Sequence, residues 1–272
     1  MRHLYLLIVG VLLLGAAGSA TAQRRTVGDV ALLPTLQAEL ALTGDDYVYG
    51  SFGLLRYTGK SNTPNTFAAG QLRFGYEHFW DQQWSWGATL DGTGYEVYSA
   101  DVSELDVYLA PELFVRHWNT FGSVNFRQRL GARYVTPLSS DADGRALASL
   151  RLDVDRVFQI TEKVALRPRL AFEPVAFLRF QREETEPKER VIDFTEIRGE
   201  VGVRLSPRID LTPWFAWQST YYFSLPQTDA NGNIKIPGGR TTLVQPTLGL
   251  DVRFTLGENA RNVDRRQLPT QH

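Results

Sequence analysis

Apolar and charged side chains alternate along residues 104–134, on both sides of a short polar turn at 119–122. A period of two places the two sets on opposite faces of a β-strand, so this stretch predicts a long two-faced hairpin. Its apolar face carries Leu105, Val107, Leu109, Leu113, Val115, Val124, Phe126, Leu130, Ala132 and Tyr134. Its polar face carries Glu104, Asp106, Tyr108, Glu112, Arg116, Asn125, Arg127, Arg129 and Arg133.

The same alternation recurs along most of the chain and predicts one all-β domain over residues 47–256. No segment within residues 47–256 shows sustained helical spacing or a low-complexity linker. The predicted strands cover residues 47–57, 66–80, 84–98, 104–118, 123–135, 146–160, 164–181, 192–206, 211–224 and 241–256. Ten strands joined by turns and loops predict an antiparallel sheet.

Residues 23–46 fit two descriptions. Leu32, Leu36 and Leu40 belong to an alternation typical of a strand, whereas Leu33, Leu36 and Leu40 equally suit a short helix entered at Pro34. If residues 31–42 form a strand that pairs with a further unrecognised strand, the count rises from ten to twelve. Residues 257–272 are polar and predict a tail beyond the last strand.

Residues 1–22 have the features of a cleaved secretory signal. Arg2 and His3 precede an apolar run that is shorter than the roughly 20 residues needed to span a bilayer, and 20–22 form a small-residue cleavage site. The chain has no cysteine, which removes disulfides, thiolate metal sites and a lipidated cysteine. The formal net charge of −1 becomes −2 when Arg2 is removed, so nothing indicates a nucleic-acid partner.

Alternation alone does not say whether the apolar face lies inside a soluble barrel or outside a membrane barrel. Three features favour an outer-membrane barrel. The connections alternate between short turns and longer polar loops, and the strands exceed the usual length in globular sheets. The six tryptophans lie near short turns in the sequence, which predicts an aromatic girdle at one membrane interface: Trp80, Trp84, Trp86, Trp118, Trp214 and Trp217.

Short motifs add a resemblance to known barrels. Gly75-Tyr76-Glu77, Glu112-Leu113-Phe114 and Phe126-Arg127-Gln128-Arg129 resemble strand motifs of Gram-negative outer-membrane β-barrel proteins, in particular a family of unknown function. The resemblance covers residues 47–256. It implies an antiparallel transmembrane barrel in the bacterial outer membrane, with membrane lipid and the barrel assembly machinery as partners. That family brings no established activity.

The sequence offers little for catalysis or metal binding. His78 and His117 each lie near a tryptophan on the predicted outer face, where neither can serve a base and nucleophile pair at the long-loop rim. A calcium loop starting at Asp229 would place Arg240 where a glutamate is needed. We therefore predict no enzyme activity, no cofactor and no metal site. An external-loop partner for the mixed-charge segment 182–190 stays open.

The inward faces predict a lumen filled by paired charges. Ten strands make a barrel only slightly wider than the eight-strand kind, whose interior side chains can fill. Folding two hairpins about their short turns brings together Glu112, Arg129, Arg127, Arg133, Arg151, Glu173, Asp155 and Arg169, with Glu112 opposite Arg129 and Asp155 opposite Arg169. The predicted function is a largely closed barrel with a structural or accessory role. A narrow pore for small solutes is the alternative, and an outer-membrane enzyme comes third.

Overall fold

The computed structural model shows an all-β protein whose long strands close into a barrel. It describes residues 24–257 except 43, 60–66, 100–101, 140–142, 162–163, 179–190, 225, 230–231 and 237. The predicted signal segment and nearly all of the predicted tail lie outside the described residues. None of the described residues forms a helix, so no described helix is suited to crossing a membrane.

The strands extend over most of the described chain. In chain order they are β1 (Arg24–Val27), β2 (Ala31–Ala41), β3 (Tyr47–Tyr57), β4 (Phe67–Phe79), β5 (Trp84–Ser99), β6 (Val102–Phe121), β7 (Val124–Pro137), β8 (Arg145–Asp155), β9 (Phe158–Gln159), β10 (Ala165–Phe177), β11 (Ile192–Ser206), β12 (Ile209–Ser224), β13 (Gln227–Thr228), β14 (Ile234–Ile236) and β15 (Gly239–Leu256). The short strands β13 and β14 pair with each other outside the barrel wall.

In the described part of the chain the barrel has eleven long strands, so both predicted counts, ten and twelve, are wrong. Neighbouring long strands pair antiparallel in the order β2-β3-β4-β5-β6-β7-β8-β10-β11-β12-β15. Strand β2 then pairs in parallel with β15 and closes the ring. With an odd number of alternating strands, the first and last run in the same direction, so closure must be parallel.

The N-terminal segment is strand rather than helix. Strand β1 pairs in parallel with the start of β15, where Arg24 lies opposite Thr241, and β2 continues along the same edge from Ala31 opposite Thr247. From Arg24 to Ala31 the N-terminal segment advances seven residues, whereas its partner β15 advances six, from Thr241 to Thr247. Residues 28–30 therefore hold one extra residue, as in a bulge. Strand β2 begins at the opposite end of the barrel from the end of β15. The described chain therefore enters the barrel wall at one end of the barrel and leaves it at the other.

The parallel closure can be tested by a disulfide because the chain has no native cysteine. Leu36 and Val252 are register partners across β2 and β15. Strands in a sheet lie about 4.8 Å apart, within the range that a disulfide spans. We expect Leu36→Cys with Val252→Cys to form an intramolecular disulfide on mild oxidation, visible as a gel shift reversed by reductant.

The matched control for this seam places the second cysteine across the barrel. Val154 is an exposed apolar residue of β8, far from β2 in the strand order. Leu36→Cys with Val154→Cys should therefore stay reduced within one chain. The parallel closure would be contradicted if the folded variant with Leu36→Cys and Val252→Cys resisted oxidation as completely as this control.

The two faces of the wall have opposite character. Leu72, Phe74 and Leu113 are at least half exposed on the outside, as are Leu130 and Leu170. The charged residues between them point into the barrel and are largely buried. The structure thus resolves the direction of the alternation: the apolar face is outside and the polar face is inside.

The two ends of the barrel differ in their connections. One end, here called the short-turn end, has the links β2–β3, β4–β5, β6–β7, β8–β10 and β11–β12. The other, the long-loop end, has the links β3–β4, β5–β6, β7–β8, β10–β11 and β12–β15. At the short-turn end Gly122 has a φ of 64°, which allows the two-residue turn at Gly122 and Ser123.

Candidate functional site: the barrel interior

The interior is rich in buried charge. Among the described residues, eight arginines and nine carboxylates are less than a tenth exposed, and no lysine joins them. They are Arg116, Arg127, Arg129, Arg151, Arg167, Arg169, Arg198, Arg253, Glu39, Glu77, Glu112, Asp153, Asp155, Glu196, Glu200, Asp210 and Asp251. Arginine suits this role because its planar guanidinium can bond two carboxylates at once and stays charged. We call these seventeen residues the charge layer.

Glu77 is the centre of one cluster in the charge layer. Its two carboxylate oxygens lie 2.8 and 2.6 Å from Arg116 Nη1. The hydroxyls of Tyr47 and Ser85 also donate to it. Strands β3, β4, β5 and β6 each supply one member, so four strands are tied together inside the barrel. The buried carboxylate is fully paired, which offsets the cost of removing it from water.

Asp155 is the centre of a second cluster. Arg127 from β7 donates to it, and Arg167 Nε from β10 lies 2.8 Å from its Oδ1. Asn125 donates a further hydrogen bond of 3.0 Å. One carboxylate therefore holds two arginines from the strands on either side of β8.

A third cluster joins β10, β11, β12 and β15. Arg169 Nη1 lies 2.6 Å from Glu200 Oε1, and Arg198 lies 2.8 Å from both Glu200 and Asp251. The guanidinium of Arg198 also stacks on the Trp214 ring, 3.8 Å from its centre. Trp214 Nε1 donates a hydrogen bond of 3.0 Å to Asp251 Oδ1. The clusters together span the lumen with paired charges.

The structure changes the predicted partners in the β6–β7 hairpin. The turn lies at Gly122 and Ser123, so the registered pairs are Glu112 with Arg133, Arg116 with Arg129 and Trp118 with Arg127. The predicted register, with Glu112 opposite Arg129, is wrong because β6 continues to Phe121. Arg129 Nη2 still lies 2.9 Å from Glu112 Oε2, since the long side chains reach diagonally across the wall.

The β8–β10 hairpin follows the predicted register more closely. Asp155 lies opposite Arg169, although its ion pairs are with Arg127 and Arg167. Arg151 Nη1 lies 3.4 Å from Glu173 Oε2. Of the eight residues predicted for the network, Arg133 alone forms no ion pair with the described residues.

Removing the Asp155 carboxylate should be strongly destabilising because Arg127 and Arg167 would both lose a buried partner. Stranding a buried charge typically costs about 3–5 kcal/mol. We expect Asp155→Ala to lower the urea midpoint of the detergent-folded protein, measured by tryptophan fluorescence. The control Asp106→Ala removes a carboxylate near the long-loop end that bonds the Ser139 hydroxyl at 3.3 Å. Equal midpoints for the two variants would show that the Asp155 cluster contributes little.

A cavity of about 1610 Å³ occupies the long-loop half of the barrel. Tyr57, Tyr95 and Tyr108 line its upper wall, while Leu33 and Trp214 line its lower part. Among the described residues, no member of the Glu77 or Asp155 cluster lines it. The interior therefore has open space at the long-loop end and packed charges towards the short-turn end.

The tryptophans occupy three settings instead of one girdle. Trp80, Trp84 and Trp86 are at least 39% exposed at the short-turn end, as a girdle requires. Trp118 stacks on Phe79 inside the same end, with ring centres 5.3 Å apart. Trp214 is 4% exposed in the lumen, which corrects its predicted place in the girdle. Trp217 is half-buried midway along β12, away from the short turns. The setting of each tryptophan depends on its position within its strand, and strand boundaries predicted from the sequence give that position poorly.

His78 and His117 lie in polar-aromatic clusters at the short-turn end. His78 Nδ1 is 2.7 Å from Asp46 Oδ2, and the His117 ring centre is 4.2 Å from that of Trp84. Burial by itself would raise the pKa of the Asp46 carboxyl, but hydrogen bonds with His78, the Phe79 amide and the Tyr76 hydroxyl hold this pKa below its ordinary value. Both histidines thus have structural partners in the turn region.

No group of three or more metal-ligating His, Asp or Glu side chains occurs in the part of the chain that the structure describes. The Asp229 carboxylate instead accepts hydrogen bonds from the backbone and side-chain amides of Asn233, at 2.9 and 3.2 Å. These bonds close a turn around Gly232, which has a φ of 81°. The contacts are those of a loop stabilised by its own side chains.

Comparison with protein-family models, curated proteins and solved structures finds no match for this chain. The interior geometry is therefore the basis for a functional conclusion.

Proposed function

We propose that this chain is an outer-membrane β-barrel protein whose lumen is closed by the charge layer and whose role is structural or accessory. The observation that carries the proposal is the inversion of the two faces. Exposed leucines and phenylalanines cover the outside, while seventeen ionisable side chains are buried inside. A water-soluble barrel would place its apolar face inward, whereas a membrane barrel turns that face to lipid.

The pairing of the charges supports the proposal that the lumen is closed. The buried carboxylates outnumber the buried arginines by only nine to eight, so the layer is close to electroneutral. Ions crossing it would have to separate ion pairs held at 2.6–2.9 Å, such as Arg169 with Glu200 and Arg129 with Glu112. Such pairs leave little room for water or solute in a barrel of this size.

A narrow pore is the second candidate, and the cavity favours it. Its volume of about 1610 Å³ already extends the aqueous space part of the way through the barrel from the long-loop end. A rearrangement of the charge layer alone would then complete a path. An enzyme is the third candidate.

Single-channel recording separates the first two candidates. We expect the purified, unmodified protein in planar bilayers to give no resolvable unitary current, because the charge layer blocks the lumen. Insertion must be shown in the same preparation, by protease protection of the barrel in lipid vesicles. A stable open channel in the unmodified protein would overturn the closed-lumen proposal and favour the pore.

A further inference from the structure

We propose that the long-loop cavity binds a small organic carboxylate whose negative group pairs with the guanidinium of Arg133. Arg133 lies on the inner face of β7 and lines the cavity. In the barrel register it is opposite Glu112 on β6 and Leu147 on β8. This site goes beyond the proposed closed barrel, because binding in the cavity does not require that the lumen be closed.

Arg133 lacks the ion pair that its register would give it. The Glu112 carboxylate, its register partner on β6, instead lies 2.9 Å from Arg129 Nη2 and accepts a 3.2 Å hydrogen bond from the Thr89 hydroxyl. Within the described chain Arg133 forms no ion pair, and its Nε is buried without a hydrogen-bond partner. A buried donor without a partner is costly and is satisfied when a ligand supplies an acceptor.

The other arginines that face the lower cavity differ from Arg133 in being paired. Arg73 Nε donates to Asp91, and Arg198 is paired with Asp251 at 2.8 Å. Arg198 Nη1 is also buried without a hydrogen-bond partner, as Arg133 Nε is, but the charge of Arg198 is balanced by its ion pairs with Glu200 and Asp251. Among the described cavity arginines that form no ion pair, Arg133 is the half-buried one, whereas Arg145 and Arg240 are exposed.

The wall around Arg133 is apolar and aromatic. Val135 follows it on the inner face of β7, and Leu147 lies across on β8. Ala110 and Tyr108 line the cavity on β6, and the Tyr108 ring makes an edge contact with Tyr95 at 5.8 Å between ring centres. A guanidinium in such surroundings binds a carboxylate through two parallel hydrogen bonds while the apolar body of the ligand covers the wall.

The charges of the whole cavity restrict the ligand to one negative group. Among the described residues, seven carboxylates and five arginines line it. The small acidic excess would repel a polyanion. A monoanion at Arg133 is tolerated because Asp91, Glu173 and Glu196 are held by arginines. The volume of about 1610 Å³ leaves room for a drug-sized molecule.

Three ligands that differ in charge at one group test the site in the unmodified protein. The probes are 2-naphthoate, 2-naphthylmethanol and 2-naphthylmethylamine, titrated calorimetrically into the protein in lipid nanodiscs, with empty nanodiscs as the blank. We expect saturable binding of 2-naphthoate, and at least about tenfold weaker binding of the alcohol and the amine, as for loss of one charge-assisted pair. Equal binding of acid and alcohol, tighter binding of the amine, or no saturable binding of the acid would each overturn the proposal.

A matched pair of variants assigns the binding to Arg133. We expect Arg133→Gln to weaken 2-naphthoate binding at least about tenfold and Arg133→Lys to weaken it less. Arg156→Gln removes an exposed arginine that is not among the cavity-lining residues, and this variant should bind as the unmodified protein does. Circular dichroism verifies that each variant is folded, and unchanged binding by folded Arg133→Gln would contradict the assignment. Because channel recording reads closure alone, a closed barrel that binds no naphthoate refutes only this inference.

Discussion

Removing two ion pairs from the charge layer is expected to make the barrel, whose lumen we propose to be closed, conduct. The variant combines Glu77→Ala, Arg116→Ala, Glu112→Ala and Arg129→Ala, which removes two negative and two positive charges. Arg116 and Glu112 lie on the inner face of β6 between the cavity and the short-turn end, and Arg129 faces Arg116 from β7. Removing these four side chains should extend the cavity through the charge layer. Because both members of each ion pair are removed, neither pair leaves an unpaired charge behind.

The readout for this variant is solute entry into vesicles together with unitary current in planar bilayers. We expect solute entry to rise at least about tenfold over the unmodified protein, because hydrated space replaces paired side chains at the constriction. The control is Arg73→Ala with Asp91→Ala, an ion pair that lines the cavity and lies above the constriction. This control variant enlarges the cavity and should leave the lumen closed. Equal conductance from both variants would place the constriction elsewhere.

An arginine introduced on the outer face should oppose assembly in lipid if that face meets the bilayer. Leu130 is 61% exposed and lies in the middle of β7. Arginine at the bilayer midplane costs roughly 2–4 kcal/mol, whereas near the interface it costs about 0–1 kcal/mol. We therefore expect Leu130→Arg to reduce the folded fraction in lipid vesicles strongly. Leu170→Arg, at an equally exposed site on β10, should behave in the same way.

The matched control for the outer face is Leu138→Arg. Leu138 is 60% exposed and directly follows β7 at the long-loop end, so it differs from Leu130 mainly in height along the barrel. Folding in vesicles is followed by heat-dependent gel mobility across a urea series. If all three variants fold as readily as the unmodified protein, the outer face does not meet lipid and the soluble-barrel alternative gains support. Substitutions at Arg129 or Arg167 are unsuitable controls because both are buried in ion pairs.

The strands and their two faces could be predicted from the sequence because both depend on nearest neighbours along the chain. Strand β3 was predicted at residues 47–57 and has those bounds, and β12 differs from its prediction by two residues at its start. The alternation around Leu72 and Arg73 places adjacent side chains on opposite faces whatever the rest of the barrel does. The all-β barrel was therefore predicted correctly.

Partner choice inside the lumen was less predictable. Asp155 lies opposite Arg169 as expected but binds Arg127 and Arg167, because long guanidinium side chains reach the nearest carboxylate along a diagonal. Trp214 resembles a girdle residue in its sequence position near a turn, yet it lies inside and hydrogen-bonds Asp251. No local pattern distinguishes these contacts from their alternatives.

Local alternation along the chain was enough to predict the strands, their two faces and the set of charged residues on one side of the wall. The strand count, the register of β6 with β7 and the lack of an ion pair at Arg133 among the described residues depend on contacts between residues far apart in the chain. Closure depends on where the first and last strands meet after ten successive pairings, so a strand at residues 31–41 completes the ring by pairing in parallel with β15. The turn at Gly122 likewise fixes which inward residues share a level, and by leaving Arg133 beside a Glu112 that binds Arg129 it sets the charge of the cavity wall.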